Sequence, residues 1–96
     1  METIIGDRLI EWDDKKNEIN KRKHGINFEA AAYVFTDPAR LEFFDEAHSD
    51  EEDRYQVVGS VGKIVFVVYT ERGNATRMIS ARFATAEERR MYYGDS

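Results

Sequence analysis

The densest positive charge in this sequence lies at positions 21–24, where two lysines and an arginine precede one of the two histidines. The chain as a whole is acidic, with a formal net charge of −5. Three further cations, Arg54, Arg77 and Arg82, have no evident structural role in the sequence. An imidazole beside fixed cations can transfer protons at a phosphate ester and stabilise the negative charge that develops there. These residue types are the ones that metal-free cleavage of RNA requires.

In such a reaction the 2′-hydroxyl of the substrate is the nucleophile, a base takes its proton, and an acid protonates the leaving 5′-oxygen. His24 is the candidate general acid or base. Lys23, Arg54 and Arg82 would hold and neutralise the phosphate, because cations, and planar guanidinium groups above all, suit phosphate oxygens.

Each of these residues also has a purely structural interpretation. Lys23 and His24 precede a glycine, so they can interact with the negative end of a helix. Arg54 follows three acidic residues and can pair with them. Arg77 and Arg82 can discourage association at a sheet edge. Because these two lie five positions apart, strict alternation along a strand places them on opposite faces unless a bulge intervenes.

Composition limits the number of domains and the kinds of site that the chain can contain. The 96 residues predict a single domain, residues 1–96. The absence of cysteine excludes a disulfide framework and a thiol nucleophile, and it fits a reducing cytoplasm. No apolar run approaches the roughly 20 residues that cross a bilayer, and EF-hand, HExxH and glycine-rich phosphate motifs are missing. We therefore expect no metal, no cofactor and no membrane partner.

Charge is distributed unevenly along the chain. Positions 42–53 carry seven acidic residues and no lysine or arginine, whereas positions 54–96 carry seven basic residues against four acidic ones. A folded surface can therefore present a positive patch opposite an acidic loop.

Hydrophobic periodicity and capping signals predict an α+β fold. Gly25 is suited to the end of a helix and Asn27 to the start of the next. Thr85 and Glu88 form a capping box. The predicted elements are a strand at 8–12, helices at 15–24 and 28–35, strands at 41–44, 54–59, 63–70 and 76–83, and a helix at 86–93.

The first predicted helix is poorly amphipathic. Ile19 is its only interior aliphatic residue, so burial explains little of its sequence. Lys16, Asn20 and His24 follow one another at intervals of four and share one face.

Ordered motifs extend over most of the chain. Positions 11–38 read E-W-D-x-x-K-x-x-x-N-x-x-K-H-G-I-N-F-E-x-A-x-x-V-F-x-D-P, positions 48–59 read H-S-D-E-E-D-R-Y-x-x-x-G, and positions 77–92 read R-M-I-S-A-R-x-A-T-x-x-E-R-x-x-Y. In this order and spacing they resemble the BrnT family of type II toxins, also called DUF497. The resemblance implies a RelE-like fold, with a compact antiparallel sheet against which two N-terminal helices and one C-terminal helix pack.

The resemblance also implies a metal-independent endoribonuclease that inhibits translation and is neutralised by a BrnA-like antitoxin with a ribbon-helix-helix DNA-binding segment. Operator DNA would be bound only through the toxin–antitoxin complex. The residues that match the motifs are Lys23, His24, Glu52, Arg54, Arg77 and Arg82, with Trp12 and Tyr69 as supporting positions. Phe83 departs from the pattern, because a basic residue often follows the last motif in this family, and one possible phosphate contact is thereby missing.

Two other functions are compatible with the sequence. One is a non-catalytic module that binds an antitoxin or a component of the translation machinery. The other is a small DNA-binding regulator, although the sequence contains no recognition-helix pattern.

Overall fold

The computed structural model of the protein describes residues 1–94. Its strands are β1 (Glu2–Ile5), β2 (Arg8–Glu11), β3 (Leu41–Phe44), β4 (Arg54–Ser60), β5 (Ile64–Arg72) and β6 (Ala75–Phe83). Its helices are α1 (Asp14–His24), α2 (Phe28–Ala31) and α3 (Ala86–Tyr93), with 3₁₀ segments at Ala32–Thr36 and Glu46–His48. The predicted α+β class is confirmed.

The strands form one six-stranded sheet in the order β1-β2-β6-β5-β4-β3. Neighbouring strands are antiparallel except β2 and β6, which run parallel with Leu9 opposite Ala75. The predicted antiparallel sheet is thus a mixed sheet that contains one parallel pair. Parallel strands need a long crossover connection, and the segment from α1 to β5 supplies one.

Strand β1 was not predicted from the sequence. It forms a hairpin with β2 across a two-residue turn, with Ile5 opposite Arg8. Gly6 begins this turn at φ +63°, a conformation that glycine adopts without a steric penalty. The strand has four residues, of which only Ile5 is buried, so its sequence lacks a clear alternating pattern.

Helix α1 has the capping contacts that its sequence predicts. The Asp13 carboxylate accepts a hydrogen bond from the Lys15 backbone N–H at 2.9 Å. At the other end Gly25 adopts φ +79° and donates its N–H to the Lys21 carbonyl at 2.8 Å. Both ends are therefore determined by local residues.

The second predicted helix, 28–35, is correct only in its first half. Asn27 caps α2 by accepting from the Ala30 N–H at 2.7 Å, but the chain then tightens into the 3₁₀ segment. The three residues at 33–35 are aromatic or β-branched and are poor α-helix formers, which accounts for the tighter winding.

The two faces of the sheet are covered differently. One face packs against α2 and the following 3₁₀ segment, and Val57, Val67 and Met78 are buried there. On the opposite face, which we call the open face, α3 contributes Tyr92 to a small cluster around Val58 at one end. The open face carries alternate residues of three strands: Arg54, Gln56, Val58, Phe66, Val68, Thr70, Arg77, Ser80 and Arg82.

Helix α1 covers the part of β6 that β2 does not reach. Strand β2 pairs with β6 only at positions 75–77, so the backbone edge at Ala81 needs another partner. The Asn20 side-chain amide donates to the Ala81 carbonyl at 2.8 Å and accepts from the Ala81 N–H at 3.1 Å. It also donates to the Ile26 carbonyl at 2.9 Å. Asn20 therefore takes the place of a neighbouring strand.

Gly59 lies where β4 passes closest to the first 3₁₀ segment. A Cβ at this position would lie 2.7 Å from Val34 Cγ2 and 3.2 Å from Asp37 Oδ2. We expect Gly59→Ala to lower the free energy of unfolding by about 1–3 kcal/mol through overpacking. Urea denaturation followed by circular dichroism measures this change.

Gly73→Ala is the control for this substitution. A Cβ on Gly73 would meet nothing within 4 Å, but its backbone has φ +62°, so the expected cost of about 1 kcal/mol comes from backbone strain alone. A Gly59→Ala protein as stable as the wild type would contradict the close approach of β4.

Candidate functional site

A β-bulge in β6 determines which side chains face the open side of the sheet. Tyr69 pairs with Met78 and Val68 pairs with Ser80, so Ile79 is an extra residue without a partner on β5. Beyond such an insertion, each side chain points to the face opposite to the one it would occupy in a regular strand.

The bulge brings Arg77 and Arg82 to the same face. Arg77 lies opposite Thr70 and Arg82 lies opposite Phe66, and these two β5 residues point to one side because they are four positions apart. The opposite orientation that strict alternation predicts for the two arginines is therefore wrong. At the usual rise per strand residue the two positions are roughly 13 Å apart along the sheet.

Arg82 is held rigidly at the α3 end of the open face. Its guanidinium donates to both carboxylate oxygens of Glu88, at 2.8 and 2.9 Å, and to the Phe83 carbonyl at 3.2 Å. It also lies over the Phe66 ring, 4.1 Å from the centroid. Since a guanidinium has five N–H donors, these three bonds leave Arg82 able to bind an anion as well.

Arg77 and Arg54 lie together at the other end of the open face. Each is opposite Thr70, Arg54 on β4 and Arg77 on β6, so their backbones are roughly 10 Å apart across the sheet. Arg77 pairs with Glu11 at 3.5 Å. The Arg54 Nε atom is buried without a hydrogen-bond partner among residues 1–94. At this end, therefore, Arg77 has an acidic partner, whereas the Nε–H group of Arg54 has no hydrogen-bond acceptor among residues 1–94.

Lys23 and His24 line a groove between α1 and the bulge of β6. The groove has a volume of about 180 Å³. It is lined by Lys16, Ile19, Asn20, Lys23, His24, Ile79 and Ser80. Ser80 lies between Arg77 and Arg82 on the open face, so the imidazole groove borders the arginine-bearing surface. The predicted shared face of Lys16, Asn20 and His24 is confirmed.

Glu52 belongs to a different cavity, a cleft of about 510 Å³ beside β4. The cleft is lined by His48, Asp50, Glu51, Glu52, Arg54 and Arg72. The Glu52 carboxylate pairs with Arg72 at 3.4 Å. Arg54 connects the cleft to the open face, but Glu52 does not share a groove with His24.

Trp12 and Tyr69 lie in the core on the covered side of the sheet. Tyr69 is 4 % exposed and its hydroxyl donates to Glu42 at 2.6 Å. Burial, together with that carboxylate, raises the pKa of Tyr69 above its ordinary value. Both aromatic residues support the sheet from the side that faces away from the candidate site.

The features that sequence reasoning missed are the bulge at Ile79, the groove position of Ser80 and the two acidic partners Glu11 and Glu88. The capping box points to Glu88 at the start of α3, but nothing local indicates its bond to Arg82.

In the part of the chain that the structure describes, no three or more His, Asp or Glu side chains are grouped so as to hold a metal ion. Nor does any helix within residues 1–94 combine the length and apolarity that crossing a membrane requires.

The Arg82–Glu88 pair makes stability depend on pH. The Arg82 guanidinium holds the pKa of the Glu88 carboxyl below its usual range, although partial burial opposes this. A carboxyl with a lowered pKa in the folded state stabilises the fold above its unfolded pKa, and this contribution is lost as pH falls through the folded value. We expect Glu88→Gln to lower the free energy of unfolding at pH 7 by about 1 kcal/mol and to have progressively less effect as pH falls below the ordinary carboxyl range.

Glu87→Gln is the matched control, because Glu87 is an exposed neighbour in the same first turn of α3. Unfolding in urea at a series of pH values gives the comparison. If Glu88→Gln lowered the free energy of unfolding by the same amount at the lowest pH as at pH 7, the ion-pair origin of the effect would be contradicted.

The fold and the site define a class of small α+β proteins in which an imidazole groove borders an arginine-bearing sheet face. Over residues 12–88 the chain matches the family model described as ribonuclease toxin, BrnT, of type II toxin–antitoxin system. The chain therefore belongs to the BrnT family of ribonuclease toxins. Membership implies an RNA substrate and an antitoxin partner.

A solved structure supports the same assignment. The chain is similar to the crystal structure of the Brucella abortus ribonuclease toxin BrnT, with a TM-score of 0.64 and 27% sequence identity. The match covers 79% of this chain and 95% of the Brucella protein. No curated protein matches the chain. Strands β1 and β2 both precede the residues that the family model matches.

Proposed function

We propose that this toxin is a metal-independent endoribonuclease that inhibits translation in the cytoplasm by cleaving RNA through attack of the substrate's own 2′-hydroxyl. The observation that carries the proposal is the bulge at Ile79, which leaves Arg77, Ser80 and Arg82 on one face. The groove that contains Lys23 and His24 opens beside Ser80. Cations and an imidazole are thus available on adjoining surfaces.

In this mechanism the 2′-oxygen forms a bond to phosphorus while the bond from phosphorus to the 5′-oxygen breaks. His24 takes the proton of the 2′-hydroxyl or delivers a proton to the 5′-oxygen, and the products are a 2′,3′-cyclic phosphate and a 5′-hydroxyl. Lys23 and Arg82 stabilise the extra negative charge on the phosphoryl oxygens in the transition state. Arg82 is suited to this role because Glu88 and Phe66 fix its position in advance.

The remaining predicted residues have roles at a greater distance. Arg77 and Arg54 lie at the far end of the open face, where they would hold a neighbouring phosphate of the RNA. Glu52 is an alternative base that would act from the separate cleft it shares with Arg54. A substrate strand that follows the open face would pass both sites.

We further propose that the neutralising partner is a BrnA-like antitoxin with a ribbon-helix-helix segment. The cations of the open face would attract an acidic segment of that antitoxin, and the acidic stretch 42–53 could meet a basic one. In this scheme the toxin binds operator DNA only as part of the complex.

The test is incubation of the purified protein with single-stranded RNA in EDTA, with and without ribosomes. The wild type should cleave RNA and leave 2′,3′-cyclic phosphate ends, and Arg82→Ala should reduce the rate by about 10²–10³-fold, as for loss of one donor to the developing charge. Arg90→Ala is the control, since Arg90 is an exposed cation of α3 that does not line the site. Cleavage that stops in EDTA and returns with added magnesium would overturn metal independence.

The alternative is a non-catalytic module that binds an antitoxin or a translation component. Two ion pairs favour this alternative, that of Arg77 with Glu11 and that of Arg82 with Glu88. They give both arginines a structural role that does not require catalysis. Toxicity in cells without RNA cleavage, even with ribosomes present, would support this alternative.

A further inference from the structure

A second groove lies between the end of β6 and helix α3. It has a volume of about 360 Å³ and is lined by Lys63, Ile64, Phe83, Ala84, Arg89 and Tyr93. The Phe83 side chain is 41% exposed and Tyr93 is 70% exposed. Two exposed aromatic rings that line the same groove form a candidate binding surface.

Among residues 1–94, the charged side chains that line the groove are two cations, Lys63 and Arg89. The Lys63 ammonium lies 5.4 Å from the centre of the Phe83 ring, and the Arg89 guanidinium donates to the Ala84 carbonyl at 2.9 Å. No acidic side chain among residues 1–94 lines the groove, and neither cation forms a salt bridge within that part of the chain. A polyanion with flat apolar groups is therefore the complementary ligand.

The groove adjoins the candidate catalytic residues. Phe83 follows Arg82 in β6 but points to the other side of the strand, and its Cε2 atom lies 3.8 Å from the point that a Cβ on Gly25 would occupy. Gly25 is the residue after His24, so the ring rests against the end of α1 that carries the imidazole. An RNA strand that passes from His24 around the end of α1 would meet this ring next.

We propose that this groove is a subsite for single-stranded RNA, in which one base next to the scissile phosphate stacks on Phe83 while Lys63 and Arg89 contact the backbone phosphate. The subsite rests on the proposed ribonuclease function and adds its substrate class, an unpaired strand. Aromatic stacking beside cations is how proteins bind single strands with little sequence preference.

The experiment measures binding of a short fluorescent 2′-O-methyl RNA, which lacks the nucleophile and is not cleaved, by fluorescence anisotropy. Phe83→Ala should weaken binding about tenfold, as expected for loss of one stacked base, whereas Phe83→Tyr should bind like the wild type. Tyr33→Ala is the control, because Tyr33 is an aromatic residue of the 3₁₀ segment, 53% exposed, that lines neither groove. Thermal unfolding confirms that all variants are folded.

A series of the same RNA with one base removed at a time identifies the stacked position. At that position the wild type should lose about tenfold in affinity, and Phe83→Ala should bind the intact and the abasic RNA equally, as for removal of a single stacked base. Equal binding of intact RNA by Phe83→Ala and the wild type would overturn the proposal. If that variant also escaped neutralisation by the antitoxin, the groove would be a protein-binding surface instead.

Failure of the ribonuclease proposal gives a different result. In that case the wild type would bind 2′-O-methyl RNA through Phe83 but would leave unmodified RNA intact, with or without ribosomes. The subsite and the catalytic proposal are thus tested separately.

Discussion

His24→Ala is expected to reduce RNA cleavage by about 10²–10⁴-fold, the usual contribution of a general acid or base. The imidazole lines the groove beside Ser80, next to the surface that carries Arg82. Removing it deprives one of the two proton transfers of its catalyst but leaves the cations that bind phosphate. Single-turnover cleavage of a labelled RNA with enzyme in excess measures the chemical step directly.

Arg22→Ala is the matched control for His24→Ala. Arg22 belongs to the same last turn of α1 and is also suited to the negative end of the helix, but it does not line the groove. If His24 served only to stabilise the helix end, both variants would cleave RNA normally and show a similar small loss of stability. Cleavage by His24→Ala at the wild-type rate would exclude His24 as a catalytic residue and direct attention to Glu52.

Asn20→Ala is expected to lower the free energy of unfolding by about 3 kcal/mol, because it leaves buried backbone groups without partners. The side chain is only 6% exposed and bonds to both the N–H and the carbonyl of Ala81. For a domain of this size such a loss lowers Tm by more than about 10 °C. Thermal and urea unfolding followed by circular dichroism measure the effect.

Asn27→Ala is the comparison for Asn20→Ala. Asn27 makes a single exposed capping bond to the Ala30 N–H, and its loss should cost about 1 kcal/mol. If Asn20→Ala were no more destabilising than Asn27→Ala, the docking of α1 on the edge of β6 would be much weaker than the structure indicates.

Features that depend on neighbouring residues were predictable from the sequence. The end of α1 at Gly25 and the capping box of Thr85 and Glu88 require contacts only within one helical turn, and both are present. The shared face of Lys16, Asn20 and His24 follows from helical geometry. These signals are local, so no tertiary structure is needed to interpret them.

Features that depend on pairing between distant segments were not predictable. The extra residue at Ile79 exists only in relation to β5, and nothing in the sequence of β6 distinguishes it from a regular strand. The same holds for the parallel pairing of β2 with β6 and for the ion pair of Arg77 with Glu11. The orientation of Arg77 relative to Arg82 could therefore not be settled from alternation alone.

The contact between Asn20 and Ala81 joins residues 61 positions apart, and it has a consequence for biosynthesis. The groove with His24 and the strand with Arg82 come together only after β6 has left the ribosome, because the Asn20 side chain bonds to the backbone of Ala81. Non-local pairings of this kind also form slowly. The surface that combines His24 and Arg82 is therefore absent from the nascent chain until that stage, and a partner that binds this surface can meet it only from then on.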